Sequence, residues 1–217
     1  VLSFPYFCAA MEENVEKEIL ERAIPMFHRY GLRAVTMDDI ARDLAMSKKT
    51  LYKYFSNKEA LVKKGVERIF IEVSTRMKQL LDHPGNAIDM LFAMDELICH
   101  NIETHDPSME FQLERYYPEV SAALEKKKRK IILTMMTENL RRGIAEGHYR
   151  KELDVEVVSL LYYSRARLMT QDGEELFGSR PLEEIMREIL IYHIRGVASA
   201  EGLAYLEKKL MNSPLKK

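Results

Sequence analysis

Residues Thr36 to Leu61, TMDDIARDLAMSKKTLYKYFSNKEAL, decide the fold of the amino-terminal part of this chain. Thr36 precedes the run Met37–Leu44, in which apolar residues recur at helical spacing, so we predict that Thr36 caps a helix. Ser47 is the predicted cap of a second helix. Only two residues separate the two helices, and so short a turn forces them to cross steeply. This stretch therefore predicts a helix-turn-helix, the unit that inserts its second helix into the major groove of DNA.

The predicted second helix has the surface chemistry that DNA binding requires. Its outward positions carry hydroxyl groups and cations, which bind phosphates and base edges: Lys48, Lys49, Thr50, Tyr52 and Lys53. Ser56 with Glu59 predicts a capping box at the start of the next helix. From Arg42 to Lys64 there are seven basic and two acidic residues, whereas the whole chain has a net charge of −1. A local positive patch on an otherwise acidic protein favours a nucleic-acid partner over an ordinary solvated surface.

Residues from about Val15 to Lys64 resemble the amino-terminal domain of the TetR family of bacterial transcriptional regulators. The matching elements are ILERAIPMFHRYG (19–31), Thr36 with Met37 before IARDLA (40–45), SKKTLYKYF (47–55) and SNKEAL (56–61). The resemblance implies a set of DNA-binding residues, of which Thr36, Tyr52 and Lys58 would hold phosphates. The full set is Thr36, Met37, Ser47, Lys48, Lys49, Thr50, Tyr52, Lys53, Tyr54 and Lys58.

The chain departs from the family pattern in two places. Many members have glycine in the turn where this chain has Ala45. If that backbone position has a positive φ, alanine costs about 1 kcal/mol there. Many members also have a small residue where Lys49 stands, so the operator sequence cannot be transferred from a relative.

Length and composition agree with an intracellular regulator. The 217 residues are 47% hydrophobic, enough for a sizeable core. The two cysteines, Cys8 and Cys99, give no pairing pattern, as is typical of proteins from a reducing compartment. We expect a cytoplasmic protein without a membrane span, because the sequence has no apolar run of that length. The opening VLSFPYFCAA lacks a basic leader, and we expect residues 1–10 to be an extension before a native start at Met11.

Beyond Lys64 the sequence predicts helices throughout and no strands. We therefore predict an all-α protein of about nine to ten helices: an amino-terminal three-helix helix-turn-helix domain followed by a carboxy-terminal bundle for ligand binding and dimerisation. The expected boundaries are 11–57 for the DNA-binding domain, 58–83 for a connecting helix and 84–217 for the regulatory and dimerisation domain. The connecting helix would transmit changes in the bundle to the DNA-binding domain.

The helix that begins near Ser179 carries a continuous apolar stripe, which ends in the small residues Gly196 and Ala200. Taken alone, such a stripe more often packs inside its own chain. The resemblance to TetR favours a homodimer interface instead, because the family typically dimerises through its last two long helices, here about 155–169 and 182–199. The interface residues expected on this basis are Leu182, Ile185, Met186, Ile189, His193, Gly196 and Val197.

A ligand site is expected from the resemblance and not from the sequence pattern alone. The fifth predicted helix is apolar nearly all round, which places it at the centre of the bundle. Asp95 interrupts its apolar face, and a buried carboxylate requires a partner. The expected pocket residues are Leu91, Phe92, Asp95, Ile98, Met135, Asn139 and Tyr162; ordinary core packing is the alternative for all of them.

These observations predict a sequence-specific DNA-binding regulator, a repressor that a small molecule releases from a palindromic operator. The alternative is a DNA-binding regulator or architectural protein without a small-molecule effector. We expect double-stranded DNA, a second copy of the chain and an unidentified effector as partners. The sequence lacks a glycine-rich phosphate loop or a nucleophile with a base, so we expect no enzyme and no cofactor. Cys99, His100 and His105 are too loosely spaced to predict a metal site.

Overall fold

The computed structural model describes residues 4–103, 107–171 and 180–212, and in these ranges the chain is almost entirely helical. This confirms the all-α prediction. A short 3₁₀ turn, Leu80–Asp82, follows the fourth helix. The α-helices are α1 (Phe4–Tyr30), α2 (Met37–Asp43), α3 (Lys48–Tyr54), α4 (Lys58–Gln79), α5 (Ala87–Glu103), α6 (Pro107–Tyr116), α7 (Pro118–Ala145), α8 (Val155–Gln171), α9 (Leu182–Val197) and α10 (Ala200–Asn212).

The chain forms two compact units. The first comprises Val1–Val73 with Asp106–Lys126, and the second comprises Ser74–His105 with Lys127–Lys217. Helix α4 begins in the first unit and ends in the second, and α7 also contributes residues to both. The boundaries expected from the sequence, 11–57, 58–83 and 84–217, remain a prediction, as does the role of residues 1–10.

The first unit is built around the helix-turn-helix. Glycine ends α1 as the sequence pattern indicates: Gly31 has φ +87°, and its N–H donates to the carbonyl of Phe27 at 2.8 Å. The core combines apolar residues of α1 to α4 with two from α6 and α7. Its buried members include Ile19, Ala23, Phe27, Leu32, Val35, Ile40, Leu51, Phe55, Leu61, Leu113 and Val120.

Helix α5 lies at the centre of the second unit, as its nearly uniform apolar sequence predicts. The side chains of Ile88, Met90, Leu91 and Met94 are buried. Polar contacts fix the amino-terminal end of α5, where backbone groups lack partners within the helix. The Ala87 N–H donates to Glu146 at 2.8 Å, and the Ala87 carbonyl accepts from Asn139 at 2.8 Å.

The last helix, α10, is attached to α5 by two polar contacts. Lys209 and the hydroxyl of Tyr205 both donate to the carboxylate of Asp89, each at 2.7 Å. These contacts hold the pKa of Asp89 below its usual value even though its partial burial opposes the charged form. The described part of the chain has no helix with the length and hydropathy that a membrane span requires.

Candidate DNA-binding surface and interior polar cluster

The start of α2 is a reciprocal capping box. The hydroxyl oxygen of Thr36 accepts from the Asp39 N–H at 3.2 Å, and the Asp39 carboxylate accepts from the Thr36 N–H at 2.9 Å. The Thr36 hydroxyl also donates to the same carboxylate at 2.6 Å. These hydrogen bonds keep the pKa of Asp39 below its usual value. The arrangement fixes α2 at the entrance to the helix-turn-helix.

The turn between α2 and α3 requires a left-handed backbone at Ala45, whose φ is +51°. In the described chain no other non-glycine residue has a positive φ. The Met46 N–H donates to the Ala41 carbonyl at 2.9 Å, so the turn is closed by backbone hydrogen bonds. Ala45 therefore occupies a strained conformation that glycine would adopt without steric cost.

We expect Ala45→Gly to raise the free energy of unfolding by about 0.5–1 kcal/mol, because relief of the left-handed strain outweighs the extra entropy of glycine in the unfolded chain. Urea denaturation followed by circular dichroism measures this change. Ala60→Gly, inside α4, is the matched control and should lower the free energy of unfolding by about 1 kcal/mol. Destabilisation by both substitutions would contradict the strain at Ala45.

Helix α3 is capped by Ser47, whose side chain accepts from the Thr50 N–H at 3.0 Å. Leu51 anchors the helix in the core of the first unit, and the opposite face is exposed. Lys48 on that face forms an ion pair with Asp38 of α2. The exposed residues of the face are Ser47, Lys48, Lys49, Thr50, Tyr52 and Lys53, which we call the α3 surface.

Two residues of the expected DNA-binding set, Met37 and Tyr54, are buried or half-buried in the first unit. Met37 is buried in the core of the first unit, 6% exposed, and this corrects its assignment as a DNA contact. Its apolar side chain packs beneath the capping box and supports α2. Tyr54 is half-buried against the same core, with the Lys53 ammonium 5.6 Å from its ring centre. Only the exposed part of the Tyr54 ring is therefore accessible to DNA.

The beginning of α4 differs by one residue from the expected capping box. Asn57, and not Ser56, caps the helix, since its side-chain oxygen accepts from the Ala60 N–H at 2.8 Å. Lys58 is the first residue of α4, and its ammonium donates to the Arg33 carbonyl at 3.2 Å. Partial burial lowers the pKa of Lys58. Thr36 is exposed. The positive charge of Lys58 contributes to the lowered pKa of Asp39 in the capping box of α2.

The second unit contains a group of polar side chains between α5, α8 and α9. We call Asp95, Tyr162, Arg165, Arg187 and His193 the interior polar cluster. The Tyr162 ring lies under the Arg165 guanidinium, 4.4 Å from its centre, and meets the His193 ring at 5.2 Å. Arg165 approaches Asp95 at 3.6 Å, which is an ion-pair distance and too long for a good hydrogen bond.

Several atoms of the interior polar cluster are buried without a hydrogen-bond partner among the described residues. They are one oxygen of Asp95, the Tyr162 hydroxyl, all three nitrogens of the Arg165 guanidinium, Nε of Arg187 and Nε2 of His193. Such atoms are uncommon in protein interiors, since each one left unpaired costs about 1–3 kcal/mol. Their concentration in one place makes the interior polar cluster the candidate ligand site of the second unit.

Burial also shifts the ionisation of the cluster. It raises the pKa of Asp95, although Arg165 and Arg187 oppose that shift. Burial, together with the charge of Arg165, lowers the pKa of His193 to about 4, so this histidine is neutral at neutral pH. Burial raises the pKa of the Tyr162 hydroxyl, which therefore stays protonated. At neutral pH the cluster thus contains two guanidinium cations and one carboxyl group.

The expected pocket residues divide between the cluster and the core. Asp95 and Tyr162 belong to the cluster, and Ile98 packs beside it with Cys99 and Ile189. Leu91 and Met135 are fully buried. Phe92 is half-buried, with the Lys209 ammonium 5.1 Å from its ring centre.

Asn139, also expected in the pocket, has partners at both ends of its amide. Its amide nitrogen donates to the Ala87 carbonyl, and its amide oxygen accepts from the Tyr149 hydroxyl at 3.1 Å. Both ends of the amide are therefore engaged in holding α5 against the end of α7.

The stripe on α9 is largely buried within the chain. Ile185, Met186 and Val197 are at most 4% exposed, which corrects their assignment to a surface between subunits. Ile189 packs beside Ile185 and Met186, and His193 faces Tyr162. Gly196 is exposed, and a Cβ added there would meet no atom within 4 Å. The side chain of Leu182 lies outside the described residues.

Sequence reasoning missed two groups of residues. The sequence pattern did not single out Arg165 and Arg187, because only the fold brings α8 and α9 near Asp95. An exposed apolar strip on α8 and α9 was also missed: Val157, Leu160, Leu161 and Tyr192, which we call the α8–α9 strip. The spacing of Val157, Leu160 and Leu161 on one helical face was the available signal.

Comparison with known proteins agrees with the geometry of the first unit. The family described as bacterial regulatory proteins, tetR family, matches residues 19–64, which include α2 and α3 in full. The transcriptional repressor KstR2 of Mycobacterium tuberculosis is 30% identical over 146 residues, 65% of this chain and 72% of that protein. The chain belongs to the TetR family.

Other TetR family proteins match over greater lengths. KstR2 of Mycolicibacterium smegmatis is 28% identical over 195 residues, 85% of this chain and 91% of that protein. The structure of FadR from Bacillus subtilis, in complex with stearoyl-CoA, covers 83% of this chain and 98% of FadR, with a TM-score of 0.64 and 17% identity. As a TetR family member, the protein is a DNA-binding transcriptional regulator and not an enzyme, as its sequence predicts.

Proposed function

We propose that this TetR family protein is a cytoplasmic, homodimeric repressor that a small molecule releases from a near-palindromic operator. The observation that carries the proposal is the interior polar cluster, which lies in the unit without the helix-turn-helix. One unit thus offers a DNA-binding surface and the other a site with unused hydrogen-bonding groups. Helix α4 contributes residues to both units, and in this proposal it transmits a change in the second unit to the helix-turn-helix.

The DNA contacts proposed for this repressor come from the α3 surface, Thr36, Lys58 and the exposed edge of Tyr54. Lys48, Lys49 and Lys53 supply cations for phosphates or guanine edges, and Thr50 and Tyr52 supply hydroxyl groups. Thr36 and Lys58 flank this surface at the starts of α2 and α4, where free backbone N–H groups favour a phosphate.

The α8–α9 strip supports the homodimer and replaces most of the α9 stripe as its proposed surface. Its four side chains are apolar or aromatic and between 45% and 81% exposed in the single subunit. An exposed apolar strip on two long helices is typical of a subunit interface. Gly196 on α9 also leaves open space for a helix of the second subunit. Two-fold symmetry would then place two α3 helices on half-sites about 34 Å apart.

The comparisons support release by a small molecule, since FadR was solved with stearoyl-CoA bound and KstR2 is named a repressor. The second candidate is a TetR family regulator without a small-molecule effector, with the interior polar cluster serving only the fold. Selection of bound sequences from random duplexes, followed by a screen for small molecules that dissociate the selected duplex, separates the two. The proposal requires an inverted repeat and at least one releasing compound.

We expect Lys48→Ala with Lys49→Ala to weaken operator binding and to reduce the slope of log affinity against log salt by about 2 per subunit, because fewer counterions are released. Fluorescence anisotropy across a series of salt concentrations measures the slope. Lys126→Ala with Lys130→Ala, on the exposed surface of α7, is the matched control and should leave the slope unchanged. A slope that is equal in wild type and the α3 variant would contradict the proposed role of these lysines.

A further inference from the structure

The interior polar cluster has more positive than negative charge. Arg165 and Arg187 each carry a permanent charge, His193 is neutral, and Asp95 is the acid that faces them. The neighbouring Glu96 is exposed and raises the pKa of Asp95 by repulsion. Arg165 is largely buried at an ion-pair distance from Asp95, whereas Arg187 is partly exposed. The cluster therefore has cationic groups that a second anion can approach.

The Arg165 guanidinium also has the geometry of an anion site. None of its nitrogens has a hydrogen-bond partner among the described side chains and carbonyls, and its side chain is only 11% exposed. A guanidinium presents parallel N–H donors that match the two oxygens of a carboxylate. The buried Tyr162 hydroxyl and His193 Nε2 lie beside it and can contribute further hydrogen bonds.

Apolar side chains of the described residues lie on the same helices as the cluster. Ile98, Cys99 and Ile189 pack with the buried Ile185 and Met186 at the same helices. Arg165 and His193 both contact the Tyr162 ring, so the polar groups of the cluster lie close together. Such a site favours a molecule with one anionic group and an apolar body.

We propose that the effector of this repressor is an amphipathic carboxylate whose carboxylate group binds Arg165 and whose apolar body packs against the apolar side chains beside the cluster. This inference rests on the proposed function, because it names the chemical class of the releasing molecule. A carboxylate has two oxygens that match the parallel N–H donors of the Arg165 guanidinium. A phosphate monoester would bring nearly two negative charges next to Asp95, which disfavours it. Asp95 competes with the ligand for Arg165 and keeps the guanidinium oriented while no ligand is bound.

Matched pairs of probes test the proposal on the full-length protein. Decanoate, 2-naphthylacetate and cholanate provide three shapes of apolar body, and each is compared with its primary amide, which keeps the body and removes the charge. Isothermal titration calorimetry measures binding, and anisotropy of a selected operator duplex measures release. We expect at least one acid to bind about 10- to 100-fold more tightly than its amide, the difference expected from a charged hydrogen-bonded pair.

Two substitutions with opposite expected effects distinguish ligand binding from a structural role. Arg165→Gln should weaken acid binding by at least tenfold and leave amide binding nearly unchanged. Asp95→Asn removes the competing carboxylate and should strengthen acid binding. Arg141→Gln, an exposed arginine of α7 paired with Glu138, is the matched control and should change neither. The Asp95→Asn measurement remains decisive if Arg165→Gln does not fold.

The experiments distinguish failure of the carboxylate proposal from failure of the proposed function. Amides that bind and release the operator as well as the acids would overturn the carboxylate class and leave the proposed function intact. Acids that bind through Arg165 without releasing DNA would leave the anion site intact and contradict the proposed function. Tighter binding of decyl phosphate than of decanoate, weaker acid binding by Asp95→Asn, or no acid binding below 1 mM would each overturn the inference.

Discussion

Leu161→Glu is expected to yield a folded monomer whose operator affinity is at least about 100-fold below that of wild type. Leu161 is 63% exposed in the single subunit and lies on α8 beside Val157 and Leu160, so glutamate there leaves the fold of one chain intact. In the proposed dimer the same position faces the second subunit, where two symmetry-related carboxylates would have to be buried. Loss of the dimer removes the high effective concentration of the second helix-turn-helix, an effect of about 10²- to 10⁴-fold.

Sedimentation velocity and operator anisotropy on the same samples measure both effects. Phe111→Glu is the matched control, because Phe111 is 62% exposed but lies on α6 in the first unit. We expect this variant to remain dimeric. A dimeric Leu161→Glu protein would show that the α8–α9 strip is not the subunit interface, and a monomer with undiminished affinity would show that one helix-turn-helix suffices.

Gly202→Ala is expected to lower the free energy of unfolding by about 3 kcal/mol, at the upper end of the usual cost of overpacking. Gly202 is buried near the start of α10, and an added Cβ would lie 2.0 Å from the carbonyl oxygen of His148. The obstructing atom belongs to the backbone and cannot rotate away. The same carbonyl accepts from the Ser199 N–H at 2.9 Å, and the Ser199 hydroxyl donates to the Gly147 carbonyl at 2.6 Å, so both sides of the contact are fixed.

Urea denaturation followed by circular dichroism measures the loss. Gly65→Ala is the matched control, since Gly65 is also a buried helical glycine but its added Cβ would lie 3.4 Å from Ile24, an ordinary packing distance. Helix propensity alone should stabilise that variant by up to about 1 kcal/mol. Equal effects of the two substitutions would show that the segment around His148 can move aside.

The helix-turn-helix was predictable because its signals are local. Capping residues and apolar spacing within a few positions give the starts of α2 and α3, and Gly31 ends α1 where the pattern indicates. Met37 was misassigned because a family position does not reveal which way a side chain points. Its apolar character, at the first position of α2, was the better guide to a place in the core.

The candidate ligand site was predictable only in part, because it depends on contacts between distant segments. Asp95 could be recognised by itself, as a charge on an apolar face. Its cationic partners lie about 70 and 90 residues further along the chain, on helices where an arginine is ordinarily solvated. The apolar stripe of α9 shows the same limit: periodicity reveals that a face is buried, but it does not say whether the same chain or a second subunit covers it.

The ion pair between Lys48 and Asp38 bears on how quickly this protein finds its operator. The Asp38 carboxylate is paired with the Lys48 ammonium, which is proposed to bind a DNA phosphate. A duplex must therefore break this ion pair before Lys48 can contact the phosphate. An exposed ion pair is weak, about 0–1 kcal/mol, and the operator overcomes it through contacts to bases. Random DNA contributes phosphate contacts but no specific base contacts, so less binding energy is available to break the ion pair. In the proposed repressor, we therefore expect Asp38 to weaken binding to random DNA more than binding to the operator, and so to shorten the time spent on incorrect sequences.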